Sequence, residues 1–280
     1  MRKTVALAVA LLLGSPAAPA AAPAPTAAQA AAVAEAQRIG RDIYDFDQAA
    51  WGSTDALVAA IPDPGAQGVR GWIVEREPGG TIATYYGLRD GKPYKIFVAH
   101  ARGRKVTASH VVAAGEDAAM TAIEQRMVAA RAVALEQQTL ASIGFQPCER
   151  ASLNSVVLVP PTADAPVPVY YLTPQVAMDR YPFGGNYRVD IAADGSVLGS
   201  RAFAKSCIAM APQAPPGGHA AGMVITHLLD PQPTEIHAWL SLVANVPIFV
   251  ATIPSRELWG VEHGTIRLLR TLPEPDKPAS

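Results

Sequence analysis

Charged side chains are scarce in this 280-residue sequence: they make up 17% of it against 50% apolar residues, and the formal net charge is −1. A chain of this composition buries a core rather than staying disordered. It carries no basic excess to neutralise a phosphate backbone, which excludes nucleic acid as a partner. Cysteine is scarcer still, at two residues, so the fold cannot rest on cross-links. Beyond the first fifteen positions there is no uncharged apolar run long enough to cross a bilayer, so no transmembrane anchor is expected. The common enzyme motifs are missing as well. The sequence has no HExxH zinc helix, no GxSxG elbow, no SxxK, no phosphate-binding GxxxxGK[ST] loop and no dinucleotide GxGxxG, and no cofactor is implied.

What is present begins with an export signal. Arg2 and Lys3 precede ten uncharged residues, Thr4 to Leu13; Gly14-Ser15-Pro16 breaks the run, and Ala18-Pro19-Ala20 offers a small-x-small cleavage site. Residues 1–20 therefore read as a signal peptide cleaved near Ala20, with a periplasmic or secreted destination. Losing Arg2 and Lys3 takes the basic count from 23 to 21 against 24 acidic side chains, a mature net charge of −3. Arginine outnumbers lysine 17 to 6, and alanine is dense after the signal, which points to a GC-rich bacterial source. In an oxidising compartment Cys148 and Cys207 are expected to be joined, and closing that loop stabilises the fold by about 4 kcal/mol. A thiol nucleophile is the lesser reading, because no histidine lies near either cysteine in sequence.

The pattern along the chain predicts an α+β fold. An Ala/Pro leader, 21–28, has nothing to pack. Ile39, Ile43, Phe46 and Ala50 then recur at helical spacing, with Arg38, Arg41, Asp42, Asp45 and Asp47 on the other, solvated face. Gly52-Ser53 is expected to interrupt this amphipathic helix, with a short second helix running to Ala60. Four strands in antiparallel meander order follow, at Gly71–Arg76, Thr81–Leu88, Tyr94–His100 and Lys105–Val112, separated by glycine-bearing turns. A second long helix opens near Glu116 and carries Met120, Ile123, Met127, Ala130 and Ala134 on its buried stripe, packed on the meander. One unit is thus expected over 29–144. Over 145–272 the texture is β-rich and antiparallel with no helical period, and 273–280 reads as a disordered tail. Among the nine strands expected there are Gly222–Leu229 and Glu235–Val243.

Two groups of residues attract chemical attention. If the strands at Gly222–Leu229 and Glu235–Val243 pair antiparallel, His227 and His237 stand opposite each other and Glu235 shares their face, a minimal catalytic or metal-assisted set. Ordinary half-buried histidines are the plainer reading, since Trp239 shares that face and a one-residue register shift would part the pair; no metal is assigned. The second group is the connection around Tyr181-Pro182-Phe183-Gly184-Gly185-Asn186-Tyr187-Arg188. Its paired glycines, aromatic rings and directional polar groups make Gln175, Tyr181, Asn186, Tyr187 and Arg188 candidate ligand-binding residues. Arg201 and Lys205 nearby would favour a small anionic ligand. The functional expectation is a noncatalytic exported module binding a ligand or an envelope protein; the alternative is an envelope hydrolase on His227, Glu235 and His237.

Overall fold

The structure, a computed structural model, describes residues 23–136, 141–146, 148, 153–214 and 222–274. The expected signal peptide and the last part of the expected tail lie outside the described residues. The first element, α1 (Ala27–Ala60), is a single helix of 34 residues. It starts inside the expected leader because Thr26 caps it: the Thr26 hydroxyl accepts from the Gln29 backbone N–H, and Gln29 Oε1 accepts from the Thr26 backbone N–H at 2.9 Å. The Ile39, Ile43, Phe46 and Ala50 stripe is buried. Gly52-Ser53 does not interrupt α1. A Cβ on Gly52 would lie 2.0 Å from the Arg104 carbonyl oxygen, so the glycine is there for a close backbone approach. Ser53 donates its hydroxyl to Ala49 O at 2.6 Å, inside the helix, instead of capping a new one.

The meander is present as a four-stranded antiparallel sheet of β1 (Gly71–Glu77), β2 (Gly80–Arg89), β3 (Lys92–Arg102) and β4 (Lys105–Val111). Strand alternation turns Val74, Ala83, Tyr85, Phe97 and Ala99 inward, where they join the core that α1 covers. Next comes α2 (Ala122–Leu135), which begins later than Glu116 because the capping box is Thr121 with Glu124. It packs on β1 and continues over the next sheet, burying Met127, Ala130 and Ala134 with Ile73, Val169, Tyr171 and Val189.

The β-rich half contributes β5 (Asn154–Val157), β6 (Val167–Leu172), β7 (Tyr181–Pro182), β8 (Tyr187–Ile191), β9 (Val197–Ala202) and β10 (Ala209–Met210). The antiparallel order β5-β6-β8-β9 forms the second sheet, and β7 pairs with β10. Cys148 and Cys207 are bonded, with Cα atoms 5.3 Å apart. A third sheet holds β11 (Met223–His227), β12 (Ile248–Thr252), β13 (Glu257–Glu262) and β14 (Thr265–Thr271), in that order.

Between β11 and β12 lies α3 (Glu235–Ala244), where a strand was expected, and the helical crossover makes β11 and β12 parallel. The helical period is invisible in the sequence because eight of the ten residues of α3 are buried, leaving no polar stripe. Thr234 caps its start, Glu235 meets the positive end of its dipole, and Asn245 ends it in the left-handed region at φ 51°. Against it runs α1, crossing at Gly40, where a Cβ would sit 2.5 Å from the Ala238 Cβ. The resulting core runs continuously from α1 through α3 to Trp259 and Val261 of the third sheet.

Candidate functional site

The two histidines do meet, though by a different route from strand pairing. His227 ends β11, His237 stands in the first turn of α3, and their ring centroids lie 4.8 Å apart, edge to face. His237 Nδ1 accepts from the Thr234 backbone N–H at 3.1 Å, which puts its proton on Nε2. Burial, reinforced by His227, pulls the His237 imidazole down to about 3, so it stays neutral. His227 Nε2 lies 2.8 Å from Asp230 Oδ2, which also accepts from Arg201 at 2.7 Å. Burial works to raise the Asp230 carboxyl, but the His227 and Arg201 hydrogen bonds outweigh it and bring it down to about 2.

Glu235 does not join them. Two residues along a helix turn a side chain by about 200°, whereas two along a strand return it to the same face. Its carboxylate accepts instead from Tyr170 (3.0 Å) and Arg188 (3.4 Å). Arg188 also pairs with Asp190 at 3.1 Å. Burial works against the Arg188 charge, yet the oxygens of Tyr170, Asp190 and Glu235 around it hold it above its ordinary value. Tyr170, Arg188 and Asp190 form one wall of a cleft of about 750 Å³ between the second sheet and α1, whose other charged residues include the chain Glu35, Arg38, Asp42, Arg76. Arg188 and Arg201, cross-strand neighbours on β8 and β9, each already have a carboxylate partner. No cation of this pair is left over to recruit a small anion.

The remaining loop candidates part company. Asn186 is buried and structural: Oδ1 accepts from Thr173 N at 3.0 Å, and the amide donates to Pro182 O and Phe183 O. Gly184 and Gly185 serve the same purpose, letting the chain pass against the Ser206 carbonyl and the Cys148 side chain. Tyr187 belongs to the core under α2, with its hydroxyl accepting from Gln146 N at 3.0 Å. Tyr181 is half-buried in β7. Gln175 stands at a second pocket, described next, apart from the cleft that Arg188 lines, and the five do not form one rim.

That pocket encloses about 340 Å³ between α1, α3, β1, β5 and the Thr173-Pro174-Gln175 turn. Three of the chain's four tryptophans line it: Trp51 from α1, Trp72 from β1 and Trp239 from α3. Leu240, Val243 and Pro182 complete the apolar surface, and Asp47, Gln48, Asn154 and Gln175 bring polar groups to it. Compared with protein-family models, curated proteins and solved structures, the chain matches none.

Asp47 is the feature of this pocket that the amphipathic pattern misassigns. The side chain follows Ile43 by four residues and precedes Ala50 by three, so the helix carries it to the flank of the buried stripe, not to the solvated face. Burial pushes its carboxyl from 3.8 up to about 6, against the hydrogen bond from Gln48. Asp42 and Asp45, on the outer face, are paired with Arg76. Several other polar groups here are engaged in the wall itself. Thr54 Oγ1 is 2.7 Å from the Tyr85 hydroxyl, and Ser155 Oγ accepts from Arg131 Nε at 2.9 Å. The Arg104 guanidinium stacks on Trp51 at 3.5 Å and that of Arg131 on Trp72 at 5.0 Å. The indole N–H of Trp239 has no acceptor among the described residues.

Proposed function

We propose that this protein is an exported, periplasmic or secreted, noncatalytic module that binds a small organic ligand in the tryptophan pocket. The observation that carries the reading is the convergence of Trp51, Trp72 and Trp239 with Asp47, Gln48, Asn154 and Gln175 on one concavity of small-ligand size. Flat apolar walls with a few directional polar groups suit a ligand with a compact ring body. Export is supported by the residues that read as a signal peptide and by the bonded Cys148–Cys207 pair. No helix among the described residues is long and apolar enough to cross a membrane.

Nitrogen-edited NMR of the four indole N–H groups during titration with a set of small ring compounds tests the pocket. Binders are expected to move the Trp51, Trp72 and Trp239 signals and leave Trp259, which is buried in the third sheet. A set that moves none of the three refutes the pocket. Intact mass of the mature protein from its host tests export, with Ala21 as the expected first residue. The hydrolase alternative keeps one observation in its favour, the His227–Asp230 contact, which fixes an imidazole as a general base is fixed. Equal hydrolysis of a chromogenic ester panel by wild type and His227→Ala disposes of it.

A further inference from the structure

Asp47 is the only titratable side chain among the described residues lining the tryptophan pocket. Its neighbours along α1 have cationic partners, Arg38 and Arg76 for Asp42 and Arg76 for Asp45, whereas Asp47 has none among the described residues. The two guanidiniums in the surroundings are committed elsewhere, Arg104 to the face of Trp51 and Arg131 to Trp72 and Ser155. The pocket thus holds one carboxylate, hydrogen-bonded by the neutral Gln48 amide and without a counter-charge among the described residues. Unpaired buried charge is costly, and a ligand that shuts out water without supplying the opposite charge raises that cost further. A ligand bringing a cation removes it, and Trp239, the pocket indole on which no guanidinium is stacked among the described residues, favours the same sign of charge.

We infer that the pocket selects ligands with a positively charged nitrogen, an ammonium or amidinium group on an apolar body, and that Asp47 is the counter-charge that binds it. The inference rests on the reading of this pocket as the ligand site and adds the chemistry of the ligand. An anion is the disfavoured partner, because the only charge that the described residues bring to the pocket lining is negative.

Three probes of one shape test it: 3-phenylpropylamine, 3-phenylpropanol and 3-phenylpropionate, titrated at pH 7.5 into the mature protein and followed by the indole N–H signals. The amine is expected to bind about tenfold tighter than the alcohol, the order of a charge-assisted hydrogen bond, with the propionate weakest. In Asp47→Asn the amine falls to within about twofold of the alcohol while the alcohol binds at least as tightly as to the wild type, because the uncompensated charge is gone; that binding also reports an intact pocket. Asp47→Glu keeps the preference for the amine. Alcohol or propionate binding as tightly as the amine in the wild type overturns the charge preference and leaves the pocket standing. So does an Asp47→Asn variant that still prefers the amine. If none of the three probes moves the pocket signals at millimolar concentration, both the charge preference and the pocket reading fall.

Discussion

Replacing Asp47 by asparagine should make the protein more stable, and only above a definite pH. The folded-state carboxyl stands at about 6 against 3.8 for the ordinary group, because burial in the pocket wall penalises the charge. A folded-state value above the unfolded one means that the native state holds the proton more tightly. The resulting contribution is fully present below 3.8 and is lost as pH rises through about 6. At about 1.36 kcal/mol per pH unit over that window, ionised Asp47 costs the fold about 3 kcal/mol at neutral pH. Asparagine is nearly the same shape and carries no charge. The variant should therefore gain up to about 3 kcal/mol at pH 8, or about 6–12 °C in Tm for a chain of this size. At pH 4 the gain should shrink toward zero. Thermal melts of both proteins by circular dichroism, at half-unit steps from pH 4 to 8, measure the difference directly. A gain that is absent at pH 8, or constant from pH 4 to 8, would refute the assignment of Asp47 as a half-buried, desolvated carboxylate without a counter-charge.

Three further outcomes follow from the packing. Gly40→Ala puts a methyl group 2.5 Å from the Ala238 Cβ and 2.8 Å from the Glu235 carbonyl oxygen, and forcing α1 and α3 apart should cost about 1–3 kcal/mol in urea unfolding. Arg188→Met leaves Glu235 buried without its cation and should cost about 3 kcal/mol, most of it recovered in the Arg188→Met/Glu235→Gln double variant; equal losses in single and double variants would count against the pair. Replacing Cys148 and Cys207 by alanine opens a loop spanning 59 residues and should cost about 4 kcal/mol, while labelling of the denatured, unreduced wild type should find no thiol.

Elements with one wet face were readable from the sequence. The meander strands, with polar and apolar residues alternating and glycines at their turns, fall within a residue or two of their expected places, and so does the buried stripe of α1. Elements without a wet face were not. Ile236, Ala238, Trp239 and Leu240 are buried on every side of α3, and because its polar residues Glu235, His237 and Ser241 are buried with them, the run has no wet stripe to separate helix from strand. The candidate site suffered from the same blindness. The loop composition points to Gln175, which lines the pocket, but Trp51, Trp72 and Trp239 are far apart in sequence and only the packing of α3 and β1 against α1 brings them together. Gly40 and Gly52 carry the signal of such approaches, since a glycine inside a helix costs about 1 kcal/mol and needs a reason to be there. Asp47 could be found by counting turns rather than by polarity.

The long first helix also sets the order in which this protein can finish folding. A ribosome delivers α1 early, yet two hydrogen bonds that fasten it come from the far end of the chain: Gln37 accepts from Ile266 N across 229 residues, and Gln29 donates to Glu257 across 228. Until β13 and β14 emerge, the face of α1 that meets the third sheet has no cover. Closing contacts of that span is slow. A helper that shields the apolar face of α1 until the last strands have emerged would therefore serve this chain better than one that acts on its strands.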